Sequence, residues 1–238
     1  MEDVVLPNTS LCAIIRDEVM NPAGGILRFL RSVMPHVEEG IVADTGSVDG
    51  TRDVLEDAKR EFPNLRVYDI KFEGYAEARN YSLKQATKKK ALVLDADEII
   101  RQEDYSKIYD WMCRAPLEKR FRFLRIDVFP EEEVQVSKGI RARLFDQRES
   151  SFSSISNDWL WEDLRGDMGL RIPVPFYQFL PIRDSHELKM SVWYKQPRLP
   201  LKAPSEMEGF RKWKVFNYRR DNYKASNLDL PEIAIQKT

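Results

Sequence analysis

The apolar run Ala91-Leu92-Val93-Leu94 ends abruptly in acid, at Asp95, Ala96, Asp97 and Glu98. Two aspartates one residue apart project to the same face of a strand, or diverge if the strand ends in a turn there. Hard divalent ions such as Mg2+ or Mn2+ suit carboxylates combined with phosphate oxygens. A metal held by Asp95 and Asp97 could neutralise a diphosphate leaving group. The competing reading is structural: either aspartate could cap a following helix, with Glu98 a first-turn acid favourable to the helix dipole. Two more polar clusters follow apolar runs, Arg16-Asp17-Glu18 after "SLCAII" and Asp44 at the end of "GIVAD". Open parallel sheets bind ligands just beyond the carboxyl ends of their strands, so the three clusters would share one rim. "DTGSVDGT" has no Walker lysine and is not GxGxxG, which argues against either phosphate loop. Asp44 could instead accept hydrogen bonds from a base or a ribose.

The elements that must position these residues alternate through the first half. Strands are expected at 10–15, 40–44, 65–72 and from 91. Between them lie helices carrying Ile26, Leu27, Leu30, Val33 and Met34, then Val54, Leu55, Ala58 and Phe62, then Ala78, Tyr81, Leu83 and Ala86. Asn21-Pro22 reads as the start of the first helix, and Ser47 or Asp49 as the cap of the second. Strand and helix alternating at this spacing is the pattern of βαβ units around a mostly parallel sheet. Beyond residue 100 the pattern loosens. A helix is expected near 103–115 and strands at 120–129 and 139–147, which could pair antiparallel. Residues 148–160 read as a Ser-rich loop, "LWEDLRGDMGL" as a short helix, and the Pro-rich 173–204 as loops and short strands. One domain is expected over 1–238, with a nucleotide-binding-like half to about residue 100 and an irregular second half.

Composition bounds the function classes. The 238 residues carry 38 basic and 39 acidic side chains, a net charge of −1. Nothing global points to nucleic acid or to an anionic membrane surface. The acidic start does not read as a signal peptide, and no apolar run approaches a membrane span. Cys12 and Cys113 read as reduced core residues, so a cytoplasmic location is expected. His36 reads as a surface residue. Trp159, Trp161, Trp193, Tyr194 and Trp213 cluster in the second half, where one or two could pack against a sugar face. The basic stretch 209–226 reads as a solvated terminal helix.

Four motifs in order, "LCAIIRDE", "VADTGSVDGT", "YAEARNYSLKQA" and "LVLDADE", resemble the family-2 glycosyltransferases of the GT-A fold. The resemblance is close over residues 10–100 and weaker beyond. It implies an α/β GT-A fold, a nucleotide-sugar donor (UDP the commonest), Mn2+ or Mg2+, a hydroxyl acceptor and inversion at the anomeric carbon. By position, Ile14 and Arg16 would line the nucleotide pocket, Asp44 would meet the base, and Arg79 would lie near the nucleotide. Asp95 would meet the ribose or metal-bound water, and Asp97 would ligate the metal with His186 as a possible third ligand. Asp17 departs from the asparagine often found there.

An inverting transfer needs a carboxylate to take the acceptor hydroxyl's proton. Second-half candidates are Asp163 first, Glu162 second and Asp158; "LWEDL" resembles the family's acceptor-side Glu-Asp motif. The bland reading is that these acids are solvated. Two rivals remain. A nucleotidyltransferase would need a basic Gly-rich loop after the first strand, and "RDEVMNPAGG" lacks one. A non-catalytic binding module on the same fold would not need the acceptor-side acid.

Overall fold

A computed structural model describes residues 4–19, 25–128, 134–154, 162–165 and 169–179. Four parallel strands open the chain: β1 (Thr9–Ile15), β2 (Glu39–Asp44), β3 (Leu65–Asp69) and β4 (Lys90–Val93). Helices α1 (Ile26–Val33), α2 (Thr51–Glu61) and α3 (Tyr75–Gln85) connect them. β1, β2 and β4 are almost entirely buried, as expected of parallel strands covered on both faces. The alternation is visible residue by residue. Leu11, Ala13, Val42 and Leu92 face a core completed by Phe29 and Leu30 of α1 and Leu55 of α2. Cys12, Ile41, Ala91 and Val93 face the opposite way, toward Leu83 of α3 and Phe145. In α1 the buried positions include Ile26, Phe29, Leu30 and Val33, the one-sided spacing of an amphipathic helix.

After β4 come β5 (Glu98–Ile99), α4 (Asp104–Arg114), β6 (Arg120–Val128) and β7 (Val134–Asp146). β8 (Ser151–Ser154), β9 (Glu162–Arg165) and β10 (Leu170–Phe179) follow. One eight-stranded sheet runs in the order β3-β2-β1-β4-β7-β6-β10-β5, and β8 and β9 form a separate antiparallel pair. β7 is antiparallel to both β4 and β6, while β10 is parallel to β6. The parallel half therefore meets a mixed half at β4, the strand that leads into Asp95-Ala96-Asp97.

Several expectations are corrected. No helix follows Asp97: Glu98 is in β5, 1% exposed and ion-paired to Arg143, so the aspartates cap nothing and Glu98 is no first-turn helix acid. Residues 162–165 are strand rather than helix, because their backbone pairs with Ser151–Ser154; that pairing also turns part of the expected Ser-rich loop into β8. β10 is ten residues long despite Pro173 and Pro175, with its register against β6 shifting between Arg171 and Pro175. An irregularity in the ladder is where a residue without an N–H is tolerated. Cys12 is buried but Cys113 is exposed on α4. His36 is buried, its Nδ1 2.9 Å from the Val4 carbonyl and its ring stacked on Tyr105 at 3.8 Å. The first described residue of α1 is Ile26; Asn21-Pro22, Asp158, His186, the five aromatic residues singled out above and 209–226 lie outside the described residues. No described helix is long and apolar enough to cross a membrane.

Candidate active site

A cleft of about 550 Å3 opens beyond the carboxyl ends of β1, β2 and β3, lined by Arg16, Asp44–Ser47, Arg52 and Asp69–Phe72. Local hydrogen bonds build its floor. Asp44 ends β2 at 1% exposure. Its Oδ1 accepts the Gly46 and Ser47 amides, both at 2.7 Å, which folds the following turn around the carboxylate. Gly46 has φ 102°, a left-handed conformation that glycine adopts without steric cost. The other oxygen, Asp44 Oδ2, is buried and has no hydrogen-bond partner among the described residues. A buried carboxylate oxygen without a donor costs free energy, so it is built to receive one.

Arg16 crosses the strand ends, with Nη1 donating to the Thr45 carbonyl at 2.8 Å. Burial lowers its guanidinium from the ordinary value, against the opposing pull of Asp17 and Asp44. Asp17 is fully buried with φ 52°, and its Oδ1 accepts the Val48 amide at 2.7 Å. Asn and Asp are the non-glycine residues that enter this region most readily, which accounts for an aspartate where asparagine is usual. Neither residue considered as the cap of α2 is its N-cap, which is Gly50; Asp49 stands just before it, its Oδ1 accepting the Thr51 amide at 3.0 Å and hydroxyl at 2.6 Å. Ser47 Oγ instead accepts the Asp17 amide at 2.9 Å, tying the first rim cluster to the second.

The second group of site residues lies on the far side of β1, at the end of β4. The Glu98 amide donates to the Asp95 carbonyl at 2.8 Å, which makes 95–98 a tight turn. Ala96 and Glu98 point inward and are buried, while Asp95 and Asp97 stay half-buried. The two carboxylates therefore stand off the sheet's rim. Asp95 Oδ1 accepts from Arg79 Nη2 of α3 at 2.6 Å, with Arg79 7% and Asp95 31% exposed. Arg79 also lies over the Phe152 ring of β8 at 5.6 Å.

Its neighbour Asn80 clamps the same residue. Asn80 Nδ2 donates to the Phe152 carbonyl at 2.9 Å and Oδ1 accepts the Phe152 amide at 2.8 Å. The β8–β9 pair is thereby docked on α3 beside the Arg79–Asp95 contact. Glu162 and Asp163 are in β9, with Asp163 opposite Ser153 and Glu162 opposite Ser154.

The structure thus brings Arg16 and Asp44 to one cleft, and Arg79, Asp95 and Asp97 to one corner. Ile14 sits on β1 between them, beside Ala43. Sequence reasoning missed Asn80, one residue past the arginine of "EARN". It also missed Arg125 and Arg143, whose signal was the alternation in "RFRFLR" and "IRAR".

Among the described residues no three His, Cys, Asp or Glu side chains gather in a way that could hold a metal alone. Asp95 and Asp97 nevertheless fit the mode in which Mg2+ or Mn2+ takes one or two carboxylates and completes its shell with phosphate oxygens and water.

Two expected outcomes arise here. Asp44→Asn puts an NH2 in place of one carboxylate oxygen in the cleft lining and should weaken nucleotide binding by about tenfold, read by calorimetry. The second concerns Glu98, whose carboxyl is pushed up to about 7 by burial, against Arg143 and with added repulsion from Asp95 and Asp97. A carboxyl raised on folding gives stability that is fully present below its unfolded value and is lost as pH rises through the folded value. In metal-free buffer the wild type should therefore lose up to ~3 kcal/mol between pH 5 and pH 8 relative to Glu98→Gln. Urea unfolding at the two pH values measures this, and parallel profiles would disprove it.

The sequence model of glycosyl transferase family 2 matches residues 19–143, just over half of the chain. A TPR repeat-containing protein of Synechococcus elongatus is 36% identical over 103 residues, 43% of this chain and 24% of that protein. The minor teichoic acid biosynthesis protein GgaA of Bacillus subtilis is 31% identical over 78 residues, 32% of this chain and 18% of that protein. This chain thus spans about a quarter or less of the length of these relatives. A mannosyltransferase of Pyrobaculum calidifontis, solved with GDP-Man and Mn2+, superposes with a TM-score of 0.54 at 16% identity, covering 91% of this chain and 72% of that one. At that identity the likeness is one of fold, and it agrees with the expected GT-A architecture. On the matched 19–143, which hold Asp44, Arg79 and the Asp95–Asp97 turn, this chain belongs to glycosyl transferase family 2.

Proposed function

We propose that the chain transfers a sugar from a nucleoside diphosphate donor, a UDP-sugar first among them, to an acceptor hydroxyl with inversion at the anomeric carbon. The observation that carries this reading is the shared rim. A cleft holding a buried carboxylate oxygen with no partner among the described residues stands on one side of β1, and two half-buried carboxylates stand on the other. Asp44 Oδ2 is suited to the imide N–H of uracil or thymine, or to N1–H of guanine. Arg16 would sit along the nucleotide, and the sugar diphosphate would run from the cleft toward Asp95 and Asp97. A divalent ion on Asp97 and Asp95 would neutralise charge on the departing diphosphate. His186 is proposed as a further ligand.

Inversion takes one displacement. The acceptor oxygen attacks C1 from the face opposite the leaving group, its proton passes to a base, and the C1–O bond to the diphosphate breaks. We assign the base to Asp163, with Glu162 second and Asp158 third. The docking of the β8–β9 pair beside Arg79 and Asp95 supports that choice, because it fixes the strand bearing Asp163 next to the donor corner. We place the reaction in the cytoplasm, in keeping with two free cysteines.

Thermal-shift measurement with UDP, dTDP, GDP and their sugars, with and without Mn2+, tests the donor reading. Binding to the native state raises apparent stability by mass action. UDP-linked ligands are expected to give the largest shift, increased by Mn2+. No shift with any nucleotide would reject the donor site.

A further inference from the structure

The sheet does not stop at the Asp95–Asp97 turn. β7 runs antiparallel beside β4, pairing Asp146 with Lys90, Phe145 with Ala91 and Leu144 with Leu92. Continuing in that direction, β7 brings Arg143 level with Val93, the last residue of β4, and Arg141 beyond it, alongside the turn. Arg143 Nη2 donates to Glu98 Oε1 of the same turn, and its guanidinium lies over Phe176 at 4.9 Å. On the next strand Arg125 grips Asp127 through Nε at 2.6 Å and Nη2 at 3.1 Å.

Arg141 is different. It is exposed, its Nη1 reaches only the carbonyl of Ile140 at 3.3 Å, and no carboxylate pairs with it among the described residues. Arg141 lies opposite Phe123 of β6, two residues from Arg125, and two residues from Arg143 on β7, so the three arginines form one cluster; partial burial of its guanidinium, then the charges of Arg125 and Arg143, lower it from its ordinary value. The carboxylates facing the cluster are Glu98, held by Arg143, Asp127, held by Arg125, and Asp97, which acts on Arg125, so Arg141 is the guanidinium left to meet an outside anion.

The donor cleft lies on the β1–β3 side of the turn, so the arginines occupy the side left for the acceptor. We propose that this rim, Arg141 with Arg125 and Arg143, binds an acceptor that carries an oxyanion, a phosphate or a carboxylate, near its reacting hydroxyl. Guanidinium forks match both groups in geometry and charge. The proposal rests on the transferase reading for the word acceptor, but the anion site itself does not.

The test uses three matched probes, glycerol, glycerate and glycerol 3-phosphate, titrated by ligand-observed NMR into the full chain saturated with UDP and Mn2+. Both anionic probes, or the phosphate alone, should bind at least ~10-fold more tightly than glycerol. Whichever of the two dominates names the source of the oxyanion. Arg141→Gln should remove about tenfold of that preference and Arg141→Lys should restore part of it, with UDP affinity unchanged in both. Three results would overturn the proposal: equal binding of all three probes, anion binding indifferent to Arg141→Gln, or anion binding abolished by UDP. The last would make the site part of the donor's own diphosphate pocket. If UDP does not bind the wild type, the donor reading fails. The same titrations without nucleotide still read the arginine rim.

Discussion

Asp97→Ala is expected to lower sugar transfer by about a thousandfold or more while leaving the fold intact. The asymmetry follows from how the turn is made. Its geometry is held by backbone bonds, Glu98 amide to Asp95 carbonyl and Phe179 amide to Asp97 carbonyl at 2.7 Å. The side chain of Asp97 forms neither. Burial weakens the nearby Arg28 guanidinium, and Asp97 and Glu18 oppose that loss. Removing one carboxylate there leaves surrounding positive charge that is still partly solvated, at a stability cost within about 1 kcal/mol. The chemical step loses the group that would fix charge on the departing diphosphate. Nucleotide release measured beside a circular dichroism melt separates the two. Unchanged turnover with an unchanged melt would remove Asp97 from the site.

Arg79→Met is expected to damage both fold and activity. Arg79 is buried and joins three elements: α3, the β4 turn through Asp95, and β8 through the Phe152 ring. Breaking a buried ion pair by removing one partner costs several kcal/mol. Because Asp95 is about a third exposed, solvent screens part of that, leaving about 2 kcal/mol and a melting temperature lower by roughly 5 °C. Asn80 continues to hold the Phe152 backbone, so the β8–β9 pair should stay attached but lose its fixed position. Arg79→Lys keeps the charge but not the fork, and should recover stability more than turnover. A variant with wild-type melting and wild-type kcat/KM would contradict this account.

The parallel half of the fold was legible because β1, β2 and β4 are buried on both faces and α1 on one, which writes short apolar runs and a helical period into the sequence. Positions such as Leu11, Cys12, Val42 and Leu92 alternate between the two cores as strands covered on both faces require. The second half was less legible because its structure depends on pairing between distant segments. Residues 162–165 carry no strand pattern of their own and become strand only by lying against Ser151–Ser154. The prolines of β10 likewise suggested loop, and only the register shift against β6 accommodates them.

The gathering of Asp44, Asp95 and Asp97 along one rim could be read from motif order, since the ends of parallel strands converge by topology. The environment of the turn could not. Glu98 looks like a helix acid until β5 and β7 bury it against Arg143. His36 looks like a surface residue until Tyr105 of α4, far along the chain, covers its ring. Both depend on contacts that no local period encodes.

The most direct measurement of the central claim is release of nucleoside diphosphate from UDP-, dTDP- and GDP-sugars by the wild-type chain, with Mn2+ or with a chelator. Release of UDP from a UDP-sugar, supported by Mn2+, suppressed by the chelator and lost in Asp97→Ala, is the predicted result. No release from any of these donors, with the chain folded and a candidate acceptor mixture present, would contradict it.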